Sequence, residues 1–387
     1  MECRRFLLLL LALLPLVASN LIVYPSANGA PKSNKFQIFV TQNGQRHESF
    51  VYMSSSQHRT HDASHVRGGR TMSWTSFAFT GAKVTVEVHT PRDFQHCIVR
   101  PKHYGINCRH AGSKIAKFDV PSNTKMMSVE FDYDYGSYTG HDITDKLMVF
   151  ADPPETHKPN KNDNHVLYYD VGVHNLNGQK DIGAKTEVYL APGAFVKGGF
   201  ITSQGHGVKI YGRGVLDNRD YKWHDNRFSW ATINMDKGHQ HTVEGITISD
   251  SCFYFIRALS DHNTISNVKM VGAWIYNNDG VSTGDNGVLY ADNVHVSRCV
   301  VWQAQNGAVF QTGWWTGRDM HNVRVTDVDI IHTDWCTFKG GDMSNCQISN
   351  NDAVFDHAGD TKNLDIADIE FRNIRVEGTC PRIINWK

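Results

Sequence analysis

The sequence predicts an all-β protein: a β-sandwich followed by a right-handed parallel β-helix, a solenoid of stacked coils. Three observations carry the prediction. The first third is a run of short β-branched and aromatic segments parted by clusters of Gly, Asn, Asp and Ser. Helical 3.6-residue periodicity is hard to find in it. Beyond the middle, a short phrase of one Asn followed by alternating apolar and polar residues keeps returning.

Residues 1–19 (MECRRFLLLLLALLPLVAS) precede the fold. Arg4 and Arg5 give a basic start, 6–14 an apolar run too short to span a bilayer, and Val17-Ala18-Ser19 the small residues of a cleavage site. The expected reading is a signal peptide on a secreted, extracellular protein. Export permits disulfides. With Cys3 leaving, seven Cys remain, and Cys97 with Cys108 and Cys336 with Cys346 are near enough to close short loops. A leftover thiol is expected to be a buried small hydrophobe. No Cys-x-x-Cys pair and no Asn-x-Ser/Thr sequon occurs, so neither a zinc site nor N-glycosylation is expected.

The sandwich is assigned to 20–151, with strands such as 35–40 (KFQIFV), 49–53 (SFVYM), 83–89 (KVTVEVH) and 127–131 (MSVEF). A polar, proline-bearing stretch, 152–164 (DPPETHKPNKNDN), reads as a linker. The β-helix takes 165–387. Its phrases are 267–270 (NVKM), 293–296 (NVHV), 322–325 (NVRV) and 363–366 (NLDI), separated by 26, 29 and 41 residues; the last gap could hold two shorter turns. A single coil cannot bury its apolar face, so coils must stack and share a core. Asn267, Asn293 and Asn322 are assigned to structure, as amides stacked at coil corners.

Composition narrows the partners. Lys plus Arg and Asp plus Glu are both 39, so net charge is zero, and nucleic-acid or membrane-surface binding loses its basic driving force. Past the leader, no run of about 18 apolar residues occurs to span a bilayer. The sequence sets no oligomeric state.

Chemistry concentrates in 274–315, which holds Asp279, Asp285 and Asp292 among Trp274, Tyr276, Trp302, Trp314 and Trp315. Sugar rings stack apolar faces on aromatics, while carboxylates manage protons at a glycosidic oxygen and an attacking water. Inverting hydrolysis needs two carboxyls about 6.5–9.5 Å apart. Asp279 and Asp285 are six residues apart and share a face in a strand, but a straight strand would part them by about 20 Å. Gly280 and Gly284 would let the segment bend back. An Asp in an Asn-Asp-Gly turn is also a common turn former. The acidic stretch Asp352, Asp356, His357 and Asp360 reads as a solvated loop, or as a calcium loop. No cofactor or metal is called for, because carboxylates do this chemistry unaided.

These segments, taken in order, resemble glycoside hydrolase family 49, the dextranase and isopullulanase group. In the first domain 49–53 (SFVYM), 74–77 (WTSF), 98–101 (IVRP), 128–132 (SVEFD) and 147–153 (LMVFADP) resemble the family's sandwich. In the second, 188–198 (VYLAPGAFVKG) and 205–216 (GHGVKIYGRGVL) resemble its first coils. Its central coils are matched by 269–280 (KMVGAWIYNNDG), 302–319 (WQAQNGAVFQTGWWTGRD) and 328–332 (VDIIH). The implied fold is a sandwich on a pectin-lyase-like solenoid, and the implied activity is inverting hydrolysis of an α-glucan. Asp279 matches the family's Thr-Asp-Gly-like motif. Asp285 matches the second member of its Asp-Asp pair, whose first member, the expected general acid, is Gly284 here. The stretch between the two motifs is about 14 residues shorter than the family's, as if part of a coil were missing, and family members continue through coils beyond 383–387 (IINWK).

Asp279 and Asp285 are therefore the expected carboxylates, and Trp274, Tyr276, Trp302 and Trp314 the expected sugar platforms, on a polysaccharide substrate. Two other readings stay open: a secreted glycan-binding or matrix protein on the same scaffold, and a pectin-type enzyme. Arg298 is the lone Lys or Arg in 274–315, which favours a neutral glucan over an acidic polymer.

Overall fold

The computed structural model describes residues 20–59, 69–134, 143–275, 278–283, 293–302, 309–312, 319–332, 355–357, 365–377 and 384–386. The protein is all-β: two sheets packed as a sandwich, then stacked parallel strands. Among the described residues no helix is long and apolar enough to cross a membrane.

One sandwich sheet is built around the long strand Thr71–Thr80, which pairs antiparallel with Asn20–Val23 and Tyr52–Ser55 and parallel with Asp145–Asp152. The other sheet orders Gln45–Ser49, Gln37–Gln42, Val84–His89, Ile115–Val120 and Arg109–Gly112. In Val84–His89 (VTVEVH) every second residue is buried, so Val84, Val86 and Val88 enter the core with Ile38, Val40 and Phe118. Cys97 and Cys108 form the expected disulfide, tying Cys97–Arg100, on the edge of the first sheet, to the approach of Arg109–Gly112, on the edge of the second. Cys252 is buried among Tyr221, Phe228 and Phe253, as expected of a leftover thiol, while Cys299 is half-buried. Cys336 and Cys346 lie outside the described residues.

Parallel pairing begins at Val166–Tyr169. It continues through Glu187–Leu190, Lys209–Gly212, Thr242–Glu244 and Thr264–Ser266. Corresponding residues in these turns are 21, 22, 33 and 22 positions apart. Alternation sorts each strand. Leu167, Val188, Ile210, Val243 and Ile265 share one register position and pack into the solenoid core. The next position carries Tyr168, Tyr189 and Tyr211, facing outward. The stretch read as a linker lies against this line: the Tyr189 hydroxyl donates to Glu155 (3.0 Å) and Arg213 donates to the Pro153 carbonyl (3.0 Å).

The second face stacks Gly172–Asp181, Ala194–Ile201, Val215–Asp217, Ala231–Met235, Thr247–Ser249, Tyr254–Ala258, Lys269–Val271 and Val281–Ser282. Further on, His295–Trp302, Met320–Ile331 and Ile366–Glu377 form one parallel sheet, and Phe310–Thr312, Phe355–His357 and Ile384–Trp386 another.

Asn293 and Asn322 sit at one register position with left-handed φ of 59° and 53°, and the Asn322 amide donates to Asn293 Oδ1 at 2.6 Å. This is the amide ladder that the recurring phrase predicts. Asn267 has a φ of 50° as well, but its amide donates to Asp152 of the sandwich at 3.2 Å. The fourth phrase needs correction. Asn363 lies outside the described residues, and the residue stacked on Asn322 is Asp368, with φ 56°. Met320–Ile331 pairs directly with Ile366–Glu377, so the interval is one turn of 46 residues and not two short ones. A second corner line, Arg298, Asp327 and Asn373, repeats the left-handed backbone five residues further along each strand.

Candidate functional site

Among the described residues, Asp279 stands at the end of a stack. Registers Ile233 to Ile256 and Ile256 to Val281 align three successive turns. Counting back, Trp230, Phe253 and Asn278 share one position, and Ala231, Tyr254 and Asp279 the next. The Asp279 and Gly280 carbonyls accept from the N–H groups of Phe255 (2.8 Å) and Ile256 (3.0 Å) on the turn below. Asn278 makes the turn bonds: its amide donates to the carbonyls of Ser251 (2.9 Å) and Phe253 (2.7 Å), and its Oδ1 accepts from Ile275 N–H (3.0 Å). Asn278 is thus one turn former of this motif. The Asp279 side chain is exposed. Asp285, Tyr276 and Trp314 lie outside the described residues, as does Asp292.

Below Asp279 runs a group of rings that sequence reasoning missed. Two of them, Trp230 and His224, come from the wide turn, the one with 33 rather than about 22 residues, whose additional length is the excursion around 218–230, and Phe253 and Tyr254 come from the next turn. Trp230 is 39% exposed and has a left-handed φ of 62°. Its ring lies 6.1 Å from Phe253 and 6.4 Å from Tyr254, and the Arg257 guanidinium sits 5.5 Å over it. The exposed His224 ring stacks on Phe253 at 4.2 Å. The excursion is pinned by Asp225, which accepts from Arg227 Nε (2.8 Å) and Nη2 (2.7 Å); these bonds hold its carboxyl down to about 2. A signal was present in the sequence: 221–230 (YKWHDNRFSW) is denser in aromatics than 274–315.

Trp274 and Trp302 occupy a different place, the joint between sandwich and solenoid. Trp274 donates through Nε1 to Ser54 Oγ at 2.5 Å, and Ser54 donates to Asp250 Oδ1 at 2.6 Å. Arg219 bridges Asp250 (3.3 Å) and Asp217 (2.9 and 3.1 Å); both acids are fully buried. Trp302 donates to Glu130 Oε1 at 3.0 Å, edge-on to His332. Lys146 Nζ lies 5.2 Å from the Trp274 ring and 5.9 Å from the Trp302 ring. Both indoles, expected as sugar platforms, are half-buried and anchored to the sandwich.

Glu130 is the hub of this joint. It accepts from Arg100 (2.9 Å), and both its oxygens lie within 3.1 Å of His332 Nε2, while Arg100 also reaches Glu377 (2.8 Å). Burial pushes the Glu130 carboxyl up, but His332 and Arg100 more than reverse that and hold it below the usual carboxylate value. Among the described residues, no group of three His, Cys, Asp or Glu is placed to hold a metal ion.

No protein-family model matches the chain. It is 26% identical to a dextranase of Arthrobacter globiformis over 80% of its own length and 63% of that protein's. It is 24% identical to an isopullulanase of Aspergillus niger, over 86% of its length and 71% of that protein's. The chain thus spans about 63% of the length of the Arthrobacter relative. Among solved structures it superposes on Dex49A from Penicillium minioluteum with a TM-score of 0.71 and 18% identity, covering 94% of this chain and 82% of that one. The resemblance to the dextranase and isopullulanase group read from the sequence is borne out by these matches, and so is the fold.

Proposed function

We propose that the chain is a secreted glycoside hydrolase that cleaves α-glucosidic bonds of a dextran- or pullulan-like glucan with inversion, using Asp279 and Asp285 as its carboxylates. The observation that carries this reading is the place of Asp279: an exposed residue whose backbone carbonyl is bonded to the turn below, one position past the column of Trp230, Phe253 and Asn278. The relatives' names, dextranase and isopullulanase, supply the substrate class.

In such a reaction one ionised carboxylate takes a proton from water while a protonated carboxyl delivers one to the leaving oxygen, from the opposite side of the sugar. Asp279 is suited to one of these roles because its backbone is fixed by the coil below, while its side chain meets solvent. Asp285 is the proposed partner, adjacent to the Gly284 that stands where the family pattern places its acid.

The test is reducing-sugar release from dextran and from pullulan by the purified protein, Asp279→Asn and Asp285→Asn. Loss of a carboxylate is expected to lower the rate by about 10²–10⁴-fold. Proton NMR of the first product should show the inverted anomer. Equal release by all three proteins would overturn the assignment. Gly284 favours one second reading, a glycan-binding protein on this scaffold: it predicts equally little release from all three with polymer binding retained.

A further inference from the structure

We propose that Trp230 is a glucan-stacking platform that carries the polymer along the solenoid axis toward Asp279, an inference that rests on the glucan reading above. Trp230 and Asn278 share one register position two turns apart. At about 4.8 Å per rung, the Trp230 backbone therefore lies about 10 Å along the axis from the Asn278-Asp279 corner. A chain bound at Asp279 and following the stack passes over it.

Three features mark Trp230 as more than an incidental surface ring. It is 39% exposed, whereas Trp74 is buried and Trp223, Trp274 and Trp302 are half-buried. Its backbone is left-handed, at φ 62°, a conformation a bulky residue adopts only where its surroundings impose it. Its orientation is set on several sides, by the Arg257 guanidinium 5.5 Å over the ring and by Phe253 and Tyr254 at its edges. His224, stacked on Phe253, extends the same line of rings on the surface. A rigid, pre-oriented indole loses little freedom on binding and offers a flat apolar face to the C–H face of a sugar. An uncharged polymer suits it, because the nearby cation already faces the indole.

The test separates binding from hydrolysis. Asp279→Asn protein, alone and with Trp230→Gly or Trp230→Tyr added, is run in native gels containing dextran, pullulan or a β-linked glucan as control. Glycine fits the left-handed backbone, so its loss of the ring is not confounded by strain; thermal unfolding checks that the fold persists. The expected result is retardation by dextran or pullulan but not by the control. Trp230→Gly should weaken binding about tenfold, the size of one stacking contact, and Trp230→Tyr should restore most of it. Undiminished retardation of the Trp230→Gly protein overturns the platform alone. Absence of retardation of the Asp279→Asn parent by either α-glucan overturns the platform together with the glucan reading.

Discussion

Asn322 shows how one side chain can satisfy two demands of a coil corner. The corner needs a positive φ, which costs most residues energy but Asn little, and it leaves polar groups that must pair along the axis. The amide meets both by tolerating 53° and bonding Asn293. Asn322→Gly keeps the corner and should cost only the lost ladder bond, about 0.5–1.5 kcal/mol, whereas Asn322→Val should cost about 1–3 kcal/mol more in urea unfolding, because a β-branched residue resists the left-handed region. Gly272 is a stricter case. Its φ is +72°, and a Cβ there would meet Ser54 Oγ at 2.5 Å and Asp250 Oδ1 and Trp274 Nε1 at 3.1 Å. Gly272→Ala therefore strains the backbone and pushes apart the Trp274–Ser54–Asp250 chain. A loss of about 2–3 kcal/mol is expected, with a change in tryptophan fluorescence as Trp274 leaves its partner.

Elements are held by what lies at their edges. The Cys97–Cys108 bridge ties edge strands of opposite sandwich sheets across a separation of 11 residues. Removing it as the Cys97→Ser, Cys108→Ser pair should lower stability by about 2–4 kcal/mol, seen as a reduced unfolding midpoint in guanidinium with m nearly unchanged. In the solenoid, rung spacing is the readable quantity. Turns of 21 and 22 residues are bare coils, and the turn of 33 carries an excursion. The wide turn delivers Trp230 and His224 to the surface, so the proposed platform stands on the lengthened rung while the short rungs keep register.

Across the whole molecule, sandwich and solenoid share one core. Tyr52, Trp74, Met148 and Phe150 of the sandwich pack with Phe195, Val215 and Val271 of the solenoid. Phe195 is 1% exposed and stacks on Tyr52 at 6.3 Å. Phe195→Ala should cost about 3–5 kcal/mol and lower the melting of both halves together, as scanning calorimetry would record. Acid should act at the same joint through Glu130. Its folded pKa lies below the reference 4.5, so its contribution is complete above that value and is lost as pH falls through the folded pKa. Between pH 5 and 3 the melting temperature of the wild type should fall more steeply than that of Glu130→Gln, which has no carboxylate there to protonate. At neutral pH the same variant should be the less stable by about 3–5 kcal/mol, because Arg100 and His332 lose their buried partner.

The architecture was legible because its causes are local. Alternating apolar residues, turn residues tolerant of positive φ and their return at rung intervals all act within one coil, so 293–296 and 322–325 read correctly as stacked phrases. The phrase at 363 misled because that turn runs to 46 residues, and the stacked corner is an Asp in place of an Asn. The joint was not legible. Trp274 meets Ser54 across 220 positions and Trp302 meets Glu130 across 172, and no periodicity encodes which distant strand an indole will find. The sequence by itself thus determined strands and corners, and it offered the sandwich disulfide as a pairing that spacing does not fix. Only the tertiary structure decided that Trp274 and Trp302 anchor the joint, that Trp230 faces solvent, and that Asp279 ends its line. Burial of a ring is a property of what packs over it, and in this chain the covering residues lie far away in sequence.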